Sequence, residues 1–326
     1  MKIIRISVIA TLLVLAMQIT RAQYPPAAGQ AGSTAIRNDS SILVAWATHC
    51  EVIRGPMDIS LPGGGNASFG EPEQATGFAE GNPSLVVSLG DGGSALLTFD
   101  GKIYNGPGPD FAVFENSFSD DFLELAFVEV SSNGTDFFRF PSVSLTNNAT
   151  QVGTFGTIDP TKIHNLAGKY RGGYGTPFDL EELRDTPGLD VNAVTHIRII
   201  DVVGCIQPPY ASLDSEGHII NDPWPTPFPS GGFDLDGIGV IHLSANGFPN
   251  KTCGISAFYN PVGRYISFTQ PVTGILKAQV FSLTGQLLAS YSGEQGKIYL
   301  TNLPRGIYLV KIISDLNAQT LKIVAN

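Results

Sequence analysis

The stretch FVEVSSNGTDF, Phe127–Phe137, decides the fold class. Residues 127–131 have the form of a β-strand, and Asn133-Gly134, which follows, is a favoured hairpin-turn pair. A second stretch, HIRIIDV at His196–Val202, is apolar almost without interruption, as expected for a strand covered on both faces. These two strands predict a sheet with a second layer packed against it.

The same kind of apolar run recurs outward from these two strands. Further strand candidates, each beside Gly, Pro, Asn or Asp, are 42–47, 84–89, 95–99, 110–115, 123–131 and 237–243. The short segment Asp179–Arg184, an Asp followed by Leu-Glu-Glu-Leu, is the one that favours a helical turn. Charged residues make up 15% of the chain, and Gly (37) and Pro (22) are abundant, which is typical of many short strands joined by turns. We therefore predict an all-β sandwich of jelly-roll type with long loops at its ends.

Charge divides the chain into modules. Residues 1–22 have a net charge of +3 and residues 251–326 a net charge of +5, so residues 23–250 have a net charge of −18 within a total of −10. Such a contrast indicates an acidic body and a separate basic tail. Binding to a nucleic acid is excluded for the body, because it requires clustered Lys and Arg.

Residues 1–22 have the pattern of a secretory signal peptide. Lys2 and Arg5 precede the apolar run 6–17, and Thr20-Arg21-Ala22 follows it. The alternative is a membrane anchor, but the run is shorter than the roughly 20 residues that span a bilayer. We expect a mature chain that begins near Gln23 and has no transmembrane helix.

Export would place Cys50, Cys205 and Cys253 in an oxidising compartment. Their number is odd and no pair has the CxxC spacing, so the sequence gives no support to a zinc site. A disulfide between Cys50 and Cys253 would join the two ends of the body. Three buried thiols are the alternative, and the sequence leaves the pairing open.

The tail has a recognisable pattern of its own. Alternating runs at 265–268, 276–283, 286–291, 297–300, 306–313 and 320–324 predict a small antiparallel sandwich. The segments NPV (260–262), VFSLTGQ (280–286), LPRGIYLV (303–310) and KIV (322–324) resemble the type A sorting domain of the type IX (Por) secretion system. A generic immunoglobulin-like terminal domain is the alternative.

The resemblance implies a Bacteroidetes protein that the type IX machinery, its partner, moves across the outer membrane. Such a tail is usually removed, and the cargo is then released or attached to the surface. The resemblance gives the tail, residues 251–326, no chemistry on a substrate. It leaves open whether this body stays attached.

The body also resembles known proteins. Its strands before the Asn-Gly turn and at 196–202 are similar to those of galactose-binding-like sandwiches. A group of poorly characterised bacterial cell-surface proteins is similar in GPGPDFAVFEN (106–116), ELAFVEVSSNG (124–134), AGKYRGGYGTPFDL (167–180) and SGGFDLDGIGV (230–240). This group implies a fold but no settled activity.

Sequence templates for common enzymes are missing. The chain has no GxSxG, HExxH, GxxxxGK[ST] or helix-opening GxGxxG motif, and its histidines are scattered singly. We interpret His196 and His242, which lie in apolar strands, as structural residues. Paired carboxylates could still support glycoside hydrolysis, so an enzymatic activity stays open but is not favoured.

Acidic residues at the ends of predicted strands indicate a metal site. The candidate ligands are Asp110, Glu115, Asp201, Asp234 and Asp236. Asp234 and Asp236 are two residues apart, so a regular strand would place both on one face. Clustered carboxylate oxygens are the ligands that calcium prefers, and the alternative is a solvated acidic surface.

Aromatic side chains in loops indicate a binding surface. Tyr170, Tyr174 and Arg171 lie in a Gly-rich segment, and Trp224 lies in the stiff Pro-rich segment 221–229. A stiff loop that presents an aromatic ring loses little entropy when it binds a flat ligand face. Trp224 could instead fold back as a lid, and we expect Trp46 to belong to the core.

The sequence therefore predicts a secreted or surface-attached binding protein, stabilised by calcium, whose ligand is a glycan or another surface polymer. The alternatives are a carbohydrate-active hydrolase using Asp110, Glu115, Asp201 or Asp234, a structural or adhesive coat protein, and a protein that captures a small nutrient or cofactor. The sequence names neither the ligand nor the oligomeric state.

Overall fold

The computed structural model describes residues 24–245 and, in the tail, 257–260, 263–268, 276–283, 285–293, 297–313 and 318–325. The chain divides into two compact units, Met1–Asn246 and Gly247–Asn326. The predicted signal peptide, residues 1–22, lies outside the described residues.

Short strands make up the body, with three 3-10 turns at Pro72–Ala75, Pro160–Lys162 and Leu180–Leu183. The strands are β1 Ile36–Arg37, β2 Ala45–Trp46, β3 His49–Ile53, β4 Val87–Ser88, β5 Ser94–Ile103, β6 Phe111–Glu115, β7 Ala126–Ser131, β8 Phe138–Arg139, β9 Val143–Ser144, β10 Ile163–His164, β11 Tyr174–Phe178, β12 Val194–Asp201, β13 Asp234–Val240 and β14 Leu243–Ala245.

Two six-stranded antiparallel sheets form most of the body, and β9 and β10 pair in a separate two-stranded sheet. One has the order β1-β11-β6-β13-β2, with β4 also paired to β13, and the other has the order β14-β5-β12-β7-β8, with β3 also paired to β5. The successive strands β5, β6, β7, β11, β12, β13 and β14 alternate between the two sheets. This alternation is the jelly-roll arrangement, so the predicted fold class is confirmed.

The core lies between the sheets. The rings of Phe111 and Phe178 stack with centroids 5.4 Å apart, and Phe140 packs edge-on against both. Leu97 and Ile197, from paired strands of the other sheet, are fully buried in the same cluster. Full burial of such side chains contributes about 1.5–3 kcal/mol each, so this layer supplies most of the stability of the body.

The stretch Phe127–Phe137 forms the expected hairpin, but with a wider loop. Glu129 pairs with Arg139, and residues 132–137 separate β7 from β8. The side chain of Asn133 accepts hydrogen bonds from the backbone N–H groups of Thr135 and Asp136, at 2.8 and 2.9 Å. The Asn133 side chain therefore closes the turn, and the two strands are joined by a longer loop than a two-residue hairpin turn.

Two other local predictions differ in extent from the structure. The helical segment is a single 3-10 turn capped by Asp179, which accepts a hydrogen bond from the N–H of Glu181 at 2.9 Å. The strand candidate 42–47 shortens to β2. Trp46 is half-buried and packs against Phe114 and Phe78 on the outer face of its sheet.

Two of the three cysteines lie within the described residues. Cys50, in β3, and Cys205 are buried free thiols. Cys253 lies outside the described residues. Burial raises the pKa of Cys50 to about 12, and nearby Glu73 adds to this effect. A thiol in such surroundings is inert, because the reactive form is the thiolate.

The tail is a second all-β unit. Its strands are β15 Ala257–Asn260, β16 Tyr265–Phe268, β17 Leu276–Phe281, β18 Leu287–Gly293, β19 Lys297–Tyr299, β20 Gly306–Ile313 and β21 Ala318–Ala325. They form one sheet of order β15-β16-β19 and another of order β18-β17-β20-β21. Val280, Val310 and Ile298 are buried in the core of this unit.

Candidate functional site

One end of the body sandwich collects acidic side chains from both sheets. Glu115 ends β6, and its partner in the neighbouring strand is Leu235, next to Asp234 at the start of β13. Asp201 ends β12 opposite Ala126 at the start of β7. Antiparallel pairing places the end of one strand beside the start of the next, so these carboxylates share one end of the sandwich.

Adjacent loops add further acids to this end. Asp91 lies in the turn before β5, Glu124 in the segment before β7, and Asp222 in the loop before β13. We call the set the acidic cluster; its members are Asp91, Glu115, Glu124, Asp201, Asp222 and Asp234. Every member is buried.

Backbone N–H groups satisfy part of the acidic cluster. Asp201 accepts from Gly92 at 2.9 Å and from Phe233 at 2.7 Å, so it joins two loops at this end. Asp234 accepts from the hydroxyl of Ser88 and from the amide of Asn116. These bonds fix the orientation of two carboxylates from different sheets.

Two carboxylate oxygens in the acidic cluster have no hydrogen-bond partner. Glu115 uses one oxygen to accept from the N–H of Ser117 at 2.8 Å, and its Oε1 is buried without a partner. Asp222 accepts from the N–H of Leu125 at 3.1 Å, and its Oδ1 is buried without a partner. Buried acceptors without protein partners are costly, so a proton, a water molecule or a cation at either oxygen would stabilise the cluster.

Burial and mutual repulsion raise the pKa values of this cluster. Burial is the main cause at Glu115, Glu124, Asp201 and Asp222, whose pKa values lie well above their ordinary ones, and repulsion from other members of the cluster adds to it. Burial raises the pKa of Asp234 to about 6, although the hydrogen bonds from Ser88 and Asn116 oppose the shift. A positive charge close to the cluster would therefore favour the ionised form of these carboxyls.

Basic side chains in the described part of the chain do not neutralise the acidic cluster. None of its members forms an ion pair within residues 24–245. Arg54 is close enough to lower the pKa of Asp234, but its guanidinium donates to the backbone oxygens of Phe69, Ser88 and Gly70. Within the described residues no three Asp, Glu, His or Cys side chains converge into a ready-made metal site.

An open cleft of about 190 Å³ lies against the acidic cluster. Its polar lining includes Glu124, Asp234 and Asn116. Its apolar lining includes Phe118 and Phe155, which are 74% and 77% exposed. We call this feature the aromatic cleft.

The phenylalanines of the aromatic cleft form a continuous row. Ring centroids are 6.0 Å apart for Phe118 and Phe122, 6.4 Å for Phe122 and Phe155, and 6.1 Å for Phe155 and Phe228, with interplanar angles of 25–31°. Exposed apolar rings in a row of this kind are a common sign of a binding surface. The cleft can therefore offer ring faces and acidic oxygens to one ligand.

The metal ligands predicted from the sequence divide into two groups. Glu115, Asp201 and Asp234 belong to the acidic cluster. Asp110 lies at the opposite end of β6, about 16 Å away for an extended strand, and pairs with Nδ1 of His242 at 2.6 Å. A single site containing Asp110 and Glu115 is therefore not formed.

Asp236 also differs from the sequence-based expectation. The strand register shifts between Leu235 and Gly237, so Asp236 occupies a bulge and the expected two-residue alternation fails. Asp236 accepts a hydrogen bond from the N–H of Gly81 at 2.8 Å, whereas Asp234 contacts Ser88 and Asn116. The two carboxylates therefore bind different partners.

The predicted binding aromatics do not line the aromatic cleft. Tyr170 is buried, with its hydroxyl 2.9 Å from that of Thr34. Arg171 lies over the ring of Tyr174 at 4.7 Å and pairs with Asp120. These residues build loop structure.

Trp224 contacts the acidic cluster. Its indole N–H donates to Asp91 at 3.2 Å, and the side chain is half-buried. This placement corresponds to the lid arrangement that the sequence left as an alternative.

Several residues of the site were not predicted from the sequence. Phe118 and Phe122 lie in the otherwise polar segment 115–122, where apolar rings are conspicuous and could have been noticed. Phe155 is likewise an isolated ring in a turn. Glu124 gives no such signal, because only the approach of the two sheets reveals that it is buried.

The tail matches a known family. Residues 256–326 match the family model described as "Secretion system C-terminal sorting domain". The tail is a type IX secretion sorting domain. The protein is accordingly secreted or attached to the outer-membrane surface, with the type IX machinery as the partner of the tail.

Solved structures of the β-glucuronidase from Ruminococcus gnavus are similar to the chain at 12% identity. The complex with D-glucaro 1,5-lactone aligns over 88% of this chain and 47% of that chain with a TM-score of 0.23. The apo structure aligns over 85% and 46% with a TM-score of 0.22. The chain spans less than half the length of these enzymes. No curated protein matches the chain.

No helix in the described part of the chain is both long enough and apolar enough to cross a membrane.

Proposed function

We propose that the body is an extracellular binding module that holds a calcium ion in the acidic cluster and a glycan, or a similar surface polymer, in the aromatic cleft. The observation that carries this proposal is that exposed phenylalanines and buried acidic oxygens line the same cleft. The sorting tail delivers the module to the outside of the cell, where such ligands and millimolar calcium are available.

The donor chemistry supports calcium over a softer metal. The cluster offers carboxylate oxygens, and Asn116 and Ser88 beside it offer neutral oxygens. Calcium takes oxygen ligands in a flexible geometry, whereas zinc prefers His and Cys. The buried unpartnered oxygens of Glu115 and Asp222 fit a hard cation, because a bound ion would supply the charge that both lack. Calcium would add structural support there, and the chain's own oxygens would hold it.

The aromatic cleft supports a ligand with flat apolar faces and many hydroxyls. Phe118, Phe155 and Phe228 present ring faces, and a sugar ring can stack its C–H face against them. Glu124 and Asn116 lie beside the rings as acceptors and donors for hydroxyl groups.

Glycan-array binding by the full exported chain, with calcium and with EDTA, tests the proposal. We expect binding that falls at least tenfold in the Phe155→Ala variant and that disappears in EDTA. Leu213→Ala is the matched control, because Leu213 is an exposed apolar residue outside the cleft. Equal binding by Phe155→Ala and the control, or binding unchanged by EDTA, would contradict the proposal.

A further inference from the structure

A second pocket, of about 300 Å³, lies in the body apart from the acidic cluster. Its lining includes Tyr24, His164, Lys169, Thr176 and Glu182, and none of its lining residues also lines the aromatic cleft. We call it the lysine pocket. It differs from the acidic cluster in that its lining holds a buried lysine beside the carboxyls of Asp179 and Glu182.

Lys169 is the unusual feature of this pocket. Its side chain is only 4% exposed, yet it has no carboxylate within ion-pair distance among the described residues. Its Nζ donates one hydrogen bond, to the backbone oxygen of Ile163 at 2.7 Å. An ammonium group has three N–H donors, so two are left for a further acceptor.

Other polar atoms of the pocket are also unsatisfied or held in place. The hydroxyl of Thr176 is buried without a hydrogen-bond partner. Asn165 adopts the left-handed conformation at a φ of 48°, which is uncommon for a residue with a side chain. Its amide donates to the backbone oxygen of Pro141 at 3.0 Å and to Glu182 at 2.5 Å. These two hydrogen bonds hold Asn165, in the loop that carries Lys169, in place.

Flat rings surround the lysine. The rings of Tyr24 and His164 stack with centroids 4.8 Å apart at 6°. Nζ of Lys169 lies 5.9 Å from the ring centroid of Tyr24 and 5.6 Å from that of Tyr170. Burial lowers the pKa of His164, and repulsion from Lys169 adds to the effect, which favours the neutral imidazole. The stacked rings of Tyr24 and His164 therefore offer a flat face that suits a planar ligand.

Asp179 and Glu182 are the acids of this pocket. Asp179 is engaged as the cap of its 3-10 turn, where it accepts from the N–H of Glu181. Glu182 is tied to Asn165, and burial raises its pKa. Both carboxyls therefore already have a hydrogen-bond donor, whereas Lys169 keeps two free N–H donors.

We infer that the lysine pocket binds a small carboxylate with a flat ring, whose oxygens accept from the free N–H donors of Lys169 while its ring lies against Tyr24 and Tyr170. The buried ammonium group of Lys169, which has no ion-pair partner among the described residues, is the reason to expect an anionic ligand. The stacked rings of Tyr24 and His164 are the reason to expect a flat one. This site is independent of the calcium and glycan proposal.

Calorimetric titration of the full exported chain with benzoate, benzyl alcohol and benzylamine tests the inference. We expect benzoate to bind at least tenfold more tightly than either of the other two, which share its ring but not its charge. Lys169→Met should remove this preference, Lys169→Arg should retain part of it, and Lys162→Met, at a neighbouring lysine outside the pocket lining, should not change it.

Labelling of lysines by an amine reagent, read by mass spectrometry, gives a second measurement that needs no variant. Benzoate should slow the labelling of Lys169 and leave that of Lys162 unchanged. Absence of benzoate binding, equal affinity for benzyl alcohol, or labelling of Lys169 that benzoate does not slow would each overturn the inference.

Discussion

Without a divalent cation, the body should lose stability as the pH rises from about 4 to about 6. Burial raises the pKa of Asp234 from 3.8 to about 6. A carboxyl group with a higher pKa in the folded state binds its proton more tightly when folded, so its stabilising effect is complete below the unfolded pKa and lost above the folded one. For Asp234, the difference between the folded and unfolded pKa values corresponds to a loss of about 3 kcal/mol in the free energy of unfolding. The other raised carboxyls of the acidic cluster act in the same direction.

Thermal unfolding in EDTA, followed by tryptophan fluorescence, measures this effect. The chain has two tryptophans, Trp46 and Trp224, and both lie in the body, so the signal reports that unit. For a unit of this size about 3 kcal/mol corresponds to a fall in Tm of roughly 6–12 °C between pH 4 and pH 7. Saturating calcium should oppose the fall, because a cation favours the ionised carboxylates.

Asp234→Asn isolates the contribution of one carboxyl. The variant should have a flatter pH profile in EDTA and a smaller gain in Tm from calcium at pH 7.5. Asp185→Asn is the matched control, since the Asp185 side chain is 94% exposed. The reasoning would be refuted if, in EDTA, the Tm of Asp234→Asn changed with pH as the Tm of the control does. It would also be refuted if calcium raised the Tm of Asp234→Asn as much as that of the control.

Further predictions concern the scaffold around the site. Gly168→Ala should lower the free energy of unfolding by roughly 3 kcal/mol or more in urea titrations, because φ is +81° and the new Cβ would lie 1.8 Å from the backbone oxygen of Glu124; an unchanged midpoint would refute this. Cys50 should resist iodoacetamide at pH 8 until urea unfolds the chain, and its alkylation in native protein, seen by mass spectrometry, would contradict the raised pKa. Arg198→Met should lower the free energy of unfolding by about 1–3 kcal/mol, because it removes a hydrogen bond of 2.8 Å to the buried carboxylate of Glu129. A decrease below about 0.5 kcal/mol, as for an exposed ion pair, would argue against this role.

Sequence patterns predicted the strands of the tail closely. The alternating run 306–313 coincides with β20, and 265–268 coincides with β16. Short antiparallel strands with one buried face leave a two-residue period that is visible locally. The same period failed at Asp236, because a bulge inserts one residue without any local signal in the sequence.

The sequence by itself determined the all-β class, the division into an acidic body and a basic tail, and the identity of the tail as a sorting domain. These properties depend on local alternation, on composition and on motif order, which can be read along the chain. Tertiary structure alone decided which acids share a site. Asp110 and Glu115 are near in sequence but at opposite ends of β6, while Asp222 and Glu124 meet across long loops. The carboxyls become buried and repel one another only where the two sheets pack together. Their raised pKa values therefore depend on the tertiary structure and cannot be read from the sequence.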